Sequence, residues 1–386
     1  MKFIKKLFGF ESPYSWTKWL RISFAVLGLV IAAMPVILFD DYSLGSLIFT
    51  VILGIPAIFI GIGVAMLIGL VFGKIIFGAK KQKQSREEIE ASGREDLKLL
   101  DKNRFAAQGS TLAAGVVEKI FGVICIILVL LAVFGAVPWW LCLAIGLVFG
   151  IIAEAIAAPA RKRAARYKSD FSETVVRRSL EASGMRNIVY QPLRSIEKSS
   201  ADESGLFGEF EHMEGSEYLS AEYYGCAFRL SNVILQNKHS RVDGEGNVYT
   251  FWQTFAKGVL VLFDGAYSAE SPIMLFDKRI RKKGGTTTGN EEIDKRFTMY
   301  SDNAAAAEDV LSPAVLNGII GAAAQIKAPV GISFCNGKLY FMIYDSEFFT
   351  SEAVGDKTLL EQQHGVDEDI DIIRTAAQNL STVLKF

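Results

Sequence analysis

The stretch Ile120–Ala153, IFGVICIILVLLAVFGAVPWWLCLAIGLVFGIIA, decides how this chain is built. It runs thirty-four residues without one charge and is broken only by Pro138. A helix rises about 1.5 Å per residue, so about 20 apolar residues cross a bilayer core. Two further runs of this kind precede it, Ile22–Phe39 and Ser46–Gly73. With the long run counted as two passes, the sequence predicts four spans at about 22–40, 46–73, 116–137 and 139–159, paired into two hairpins. Split at Pro138, the last two are barely long enough. A shallow re-entrant hairpin over 120–153 is therefore the alternative, and it returns the chain to the same side.

Charge orients the spans. Lys2, Lys5, Lys6, Lys18 and Arg21 precede the first, Lys74, Lys80, Lys81, Lys83 and Arg86 follow the second, and Arg161, Lys162, Arg163, Arg166 and Lys168 follow the last. The turn at 40–46 carries Asp40 and Asp41 and no base, and the apex Val137–Trp140 is uncharged. An excess of Lys and Arg marks the cytoplasmic side, which places the N-terminus, the loop 79–115 and everything after 161 in the cytoplasm. Trp16, Trp19, Trp139 and Trp140 fall where interfacial anchors belong. The first run leads into Asp40-Asp41 and a second run rather than a small-residue cleavage site, so it does not read as a removable leader. The hexapeptide IGLVFG occurs at 68–73 and again at 145–150, which is either a trace of hairpin duplication or a coincidence of the small membrane alphabet. Its Gly69/Gly73 and Gly146/Gly150 pairs permit close helix packing. Ionisable residues touch the spans only near their ends, at Glu118, Lys119 and Glu154, the pattern of an anchor rather than a transporter.

Past about Arg161 the composition changes to that of a water-soluble domain, and 161–386 reads as α+β with a mainly antiparallel sheet. A helix is expected at 169–183, then strands at about 187–194, 206–213, 217–236 and 248–264. Tyr224–Gln236 and Val248–Phe263 flank the turn-rich Val242-Asp-Gly-Glu-Gly-Asn247 and predict a long hairpin. Ser312-Pro313 opens a helix to about Lys327, with Ser as cap and Pro at the first position. Asn336-Gly337 joins two short strands, Ile332–Cys335 and Lys338–Tyr344, through a type I′ turn. Asp367–Leu384 closes the chain as an amphipathic helix with Ile370, Ile373, Ala377, Leu380 and Leu384 on one face. In the loop 79–115, Ser85-Arg-Glu-Glu-Ile-Glu90 has the form of a helix start, with a solvated linker as the alternative.

The segments Ile293-Asp-Lys-Arg-Phe297, Tyr300-Ser-Asp302, Ala305–Glu308, Leu311-Ser-Pro313, Ile332-Ser-Phe334, Asn336-Gly-Lys-Leu-Tyr340 and Val259–Phe263 together resemble the DUF3137 family over roughly 165–350. The resemblance implies a membrane-anchored bacterial protein with a cytoplasmic α+β domain and no assigned activity. On it the chain is expected in the bacterial inner membrane as a multi-pass protein.

No chemistry-bearing constellation emerges. His212, His239 and His364 stand apart in sequence, Cys125, Cys142, Cys226 and Cys335 form no CxxC, and Asp243-Gly-Glu-Gly-Asn247 is half an EF-hand loop without its terminal Glu. Gly284-Gly-Thr-Thr-Thr-Gly289 lacks the Lys-Ser/Thr ending of a phosphate loop and follows Lys278, Arg279, Arg281, Lys282 and Lys283, so it reads as a flexible basic loop. No catalytic residue, cofactor site or metal ligand is assigned, and no specific nucleic-acid signal is present. The expected partners are the lipid bilayer and a cytoplasmic or membrane protein. The sequence thus predicts a membrane protein presenting a cytoplasmic binding or scaffolding domain. A membrane-tethered enzyme with a site assembled across the fold is the alternative, and a small transporter comes third.

Overall fold

The computed structural model describes residues 83–133, 138–243, 247–265, 272–280, 284–353, 357–381 and residue 384. The first two expected spans, 22–40 and 46–73, lie outside these residues, as do Trp16, Trp19 and the first IGLVFG copy. The chain divides into two compact units, Met1–Lys168 with Ala353–Leu359, and Ser169–Glu352 with Leu360–Phe386.

In the first unit, residues 83–91 are helical and Ser92-Gly93 turns the chain into α1, Glu95–Val133. A helix is thereby found where one was expected, but it already includes residue 83, so Ser85 is buried inside it rather than capping its start. After 134–138 comes α2, Trp139–Phe171. The two run antiparallel: Ala114 clusters with Ala157 and Ala160, and a Cβ on Gly150 would meet the Phe121 ring at 3.7 Å. Seven residues forward on α1 match seven residues back on α2, as a hairpin with its apex near 135 requires. Small residues at these contacts let the backbones approach. Among the described residues one helix, Trp139–Ala182, is long and apolar enough to cross a membrane, and only 17% of its apolar window is buried. The 116–137 span expected from sequence begins inside α1, which starts 21 residues earlier at Glu95.

The second unit is built on one eight-stranded sheet. The helix continues through a π turn, Ser172–Val176, into α3, Arg177–Ala182, and then come β1 (Arg186–Gln191), α4 (Lys198–Glu203), β2 (His212–Tyr223), β3 (Cys226–Val242) and β4 (Val248–Asp264). Next are β5 (Ile273–Asp277), α5 (Glu291–Arg296), β6 (Phe297–Tyr300), α6 (Ala304–Val310) and α7 (Pro313–Ala323). The hairpin β7 (Val330–Cys335) and β8 (Lys338–Tyr344) and the long α8 (Leu359–Ser381) complete it. The strand order is β1-β2-β3-β4-β8-β7-β5-β6, and every neighbouring pair is antiparallel.

Both sheet faces are buried. On one, Val233, Leu235, Leu260, Leu262, Tyr340, Met342 and Phe276 pack under Ile196, Ala201, Leu206 and Phe210. On the other, the rings of Phe228, Phe263 and Phe341 meet at centroid distances of 6.0 and 5.9 Å. The Asn232 amide on that side holds Phe348 by two backbone hydrogen bonds of 2.9 Å, and the Phe349 amide donates to Asp369 of α8 at 2.8 Å. The expected stripe Ile370, Ile373, Ala377 and Leu380 is buried. Gly321 of α7 sits so close to α8 that a Cβ would lie 2.3 Å from the Asn379 side-chain oxygen.

Two strand expectations fail locally. Residues 206–211 are irregular, and 217–236 is not one segment but two, broken at Tyr224-Gly225, where φ is 51° and 76°. That turn takes positive φ at a tyrosine, a residue carrying no turn signal. By contrast Asn336-Gly337, at φ 52° and 70°, forms its expected turn, and Ser312 caps α7 by accepting from the Val315 amide. The capped helix ends at Ala323, four residues short of expectation. The final helix starts at Leu359, eight residues earlier than its periodicity indicated.

Candidate functional site

The long hairpin leaves the sheet. β2 pairs with β3 only as far as His212↔Gln236, and β8 pairs with β4 only from Gly258↔Tyr344 onward. Beyond those points Asn237–Val242 and Val248–Gln253 pair solely with one another, and at about 3.3 Å per residue the arm projects about 20 Å. A register shift between Leu235 and Gln236 marks its root, and Gly258 lies there because a Cβ would sit 2.1 Å from the Ile343 carbonyl oxygen.

The arm is exposed and aromatic on both faces. Tyr249, Phe251, Trp252 and Phe255 are 58%, 48%, 49% and 46% exposed, where sequence pattern alone would bury them. Alternation along β4 sets Tyr249 and Phe251 beside Arg241 and His239 on one face, and Trp252 beside Lys238 on the other. His239 stacks on Phe251 with centroids 6.0 Å apart, and His212 lies 5.3 Å from Trp252. Two of the three scattered histidines thus meet at this arm, His239 on it and His212 reaching Trp252 from β2, a convergence that only the strand register reveals. At its tip Asp243 accepts from the Asn247 backbone and side-chain amides at 2.9 and 3.0 Å, so this carboxylate closes the turn.

The other sequence candidates come apart. His364 is on α8, 3.4 Å from Glu368. Cys226 is fully buried, and burial, reinforced by Asp264, pushes its thiol up to about 12, which keeps it protonated and unreactive. Among the described residues no group of three or more His, Cys, Asp or Glu is placed to hold a metal. Glu154 is paired with Arg161. The loop at 284–289 is not free: Thr286 bridges to Met299, and Thr288 donates through its amide and hydroxyl to Asp294 at 2.8 and 3.0 Å. A cavity of about 270 Å³ opens between Gly184, Arg186, Glu222, Tyr223, Tyr224 and Gly225. Its one carboxylate, Glu222, accepts from Asn187 at 3.1 Å, and no nucleophile or second acid lines it.

Residues 246–382 match the family described as a protein of unknown function, DUF3137. This segment belongs to DUF3137. No curated protein and no solved structure matches the chain. The DUF3137 segment begins at the tip of the arm, later than the resemblance placed it, and it extends through α8 rather than stopping near 350.

Within the DUF3137 segment one residue that carried the resemblance, Arg296, ties neighbouring elements together. Arg296 of the Ile293-Asp-Lys-Arg-Phe297 motif donates to the carbonyls of Ala323 and Ile326 at 2.7 and 2.9 Å, collecting the C-terminal carbonyls of α7. Arg279 reaches the neighbouring carbonyls of Lys327 and Ala328 at 2.7 and 3.1 Å. Both guanidiniums converge on Asp277, whose side chain is 2% exposed, at 2.5 and 3.2 Å. Burial alone would raise that carboxyl; hydrogen bonds from Arg279 and then Arg296 outweigh it and hold the group at about 2. The arrangement locks the β5, α5 and α7 termini together.

Proposed function

We propose that this protein is an integral, multi-pass protein of a bacterial inner membrane that presents its sheet domain in the cytoplasm as a binding or scaffolding module. The arm carries this reading: a two-stranded aromatic ribbon held away from the core is a contact surface, and large exposed apolar patches on a folded domain mark interaction sites. The membrane part follows from four apolar spans, about 22–40, 46–73, 116–137 and 139–159, whose few charges lie near their ends, and from basic clusters that all fall on one side. The antiparallel α1–α2 pairing supports a hairpin there, and from Ala114 to Val133 its first arm is about 30 Å long, the depth of a bilayer core. Pairing of Glu154 with Arg161 near the end of the expected span 139–159 supports an anchor over an ion relay.

Reporter fusions after Asp41 should read non-cytoplasmic, and fusions after Arg86, Lys168 and Phe386 cytoplasmic. A periplasmic reading at Phe386 overturns the topology. The cavity beside Arg186 and Glu222 is the one observation that favours the tethered-enzyme alternative. A Phe251→Ser/Trp252→Ser chain that inserts and accumulates normally should fail to complement a deletion strain, while Arg186→Ala/Glu222→Ala should complement it. The reverse result selects the enzyme.

A further inference from the structure

The arm poses a physical problem that its own fold leaves open. From Val248 to Phe255, β4 contains no charged residue and is built of Val, Tyr, Thr, Phe, Trp and Gln. Its outer edge is unpaired until Gly258, and both of its faces are exposed. Edges of this kind draw other chains unless they are charged, twisted away or covered, and here neither Lys nor Pro interrupts the strand. The cations stand on the partner strand and at the root, as Lys238, Arg241 and Lys257, with His239 between them. Tyr and Trp with flanking Lys and Arg is the composition that settles in the lipid headgroup layer, where rings face acyl chains and cations face phosphates. A ribbon that enters a lipid layer tip-first has both of its aromatic faces covered, whereas a strand added at the free edge covers neither face. The same chain supplies such a layer, because the expected span 139–159 precedes the sheet domain and basic residues Arg161, Lys162, Arg163 and Arg166 follow it directly.

We propose that the arm docks on the bilayer surface, with Tyr249, Phe251, Trp252 and Phe255 in the headgroup–acyl boundary and Lys238, Arg241 and Lys257 at anionic phosphates. The inference rests on the membrane reading above and adds a second, reversible contact between the sheet domain and the membrane.

Two versions of the full chain in phospholipid nanodiscs with brominated acyl chains test it. One retains Trp252 alone, through Trp16→Phe, Trp19→Phe, Trp139→Phe and Trp140→Phe. The other retains Trp139 and Trp140, through Trp16→Phe, Trp19→Phe and Trp252→Phe. Docking predicts roughly two-fold loss of Trp252 emission relative to unbrominated lipid, deeper when phosphatidylglycerol is added to phosphatidylcholine. Quenching of Trp139 and Trp140 without quenching of Trp252 overturns the docking and leaves the membrane reading standing. If the unquenched Trp252 then shifts to the blue as protein concentration rises, a second copy covers the arm instead. Quenching of neither pair removes both readings. Hydrogen exchange of the wild-type chain supplies a check free of substitutions: amides of 248–255 should slow several-fold in nanodiscs compared with detergent micelles, and unchanged rates overturn the proposal.

Discussion

Asp277 is a carboxylate committed to holding other groups still, and its electrostatics fix how the domain should respond to acid. Its folded carboxyl sits at about 2, below the usual carboxylate range near 4. A depressed folded value contributes stability above about pH 4, and that contribution is lost as pH falls toward 2. The amount is on the order of 2 kcal/mol. Asp277→Asn should therefore lower stability by about 2–3 kcal/mol at pH 7 and flatten the stability profile between pH 4 and 2, read by urea unfolding of the detergent-solubilised chain. An unchanged acid limb would mean that other carboxylates govern acid unfolding. Gly258 allows a second residue-level prediction. A methyl group there would press on the Ile343 carbonyl oxygen at 2.1 Å, and the atom it meets is backbone, which cannot swing aside. Gly258→Ala should cost about 2–4 kcal/mol and open the β4–β8 pairing at its arm-side end, visible as faster exchange of the Asp345 amide, which donates to the Lys257 carbonyl at 3.0 Å. The sequence offered neither role. Asp277 lies apart from the motif that mattered, and a glycine inside a strand signals a close approach without naming what approaches.

Elements were legible where local chemistry settles them. Asn336-Gly337, Ser312-Pro313 and the α8 stripe each depend on residues within one turn or one helix face, and each is found. β5 and β6 are five and four residues long, too short for a period to declare itself, and they exist because β7 supplies an edge for β5 and β5 supplies one for β6. The arm shows the limit most clearly. Its hairpin was readable from turn residues and two apolar flanks, yet those residues do not say whether its faces are covered. Exposure is decided by where β2 and β8 stop, information carried by other segments. Because the arm pairs only with itself beyond Asn237 and Gln253, it should be removable. Deleting 238–252 and joining Asn237 to Gln253 through Asn-Gly keeps the last arm pair and the Asn237 bonds to Glu209 and Glu211. The truncated chain should melt within a few degrees of the parent, since about 1 kcal/mol shifts a domain of this size by only 2–4 °C. A loss of cooperative melting would show the arm to be part of the core.

At the scale of the whole molecule the two units were visible in composition, but their boundary follows packing as well as chain order. Ala353–Leu359, within the expected soluble domain, groups with the N-terminal unit. Arg104 of α1 supplies a reason: its guanidinium, 2% exposed, donates to the Lys357 carbonyl. Asp101 lies 4.0 Å from that guanidinium and accepts from Arg86 at 3.4 Å. Burial raises the Asp101 carboxyl, more than Arg104 and Arg86 lower it. Nothing in the mixed charges of 79–115 reveals such a cluster, because Arg104 and Lys357 are far apart in sequence. The strap Ala353–Leu359 is flanked by residues of the second unit that are stapled to each other, since Gln362 exchanges two hydrogen bonds of 3.0 Å with the Glu352 backbone. That staple is retained in a fragment lacking α1, as are the eight strands, α7 and nearly all of α8. The fragment 165–386 should accordingly unfold in one cooperative transition, with faster hydrogen exchange confined to about 357–361. Arg104→Ala in the full chain should produce the same local loosening, since it removes the donor and leaves the sheet untouched. If the fragment melts without cooperativity, the sheet domain needs the first unit to fold; if Arg104→Ala leaves 357–361 as protected as before, the strap is held by something other than that guanidinium.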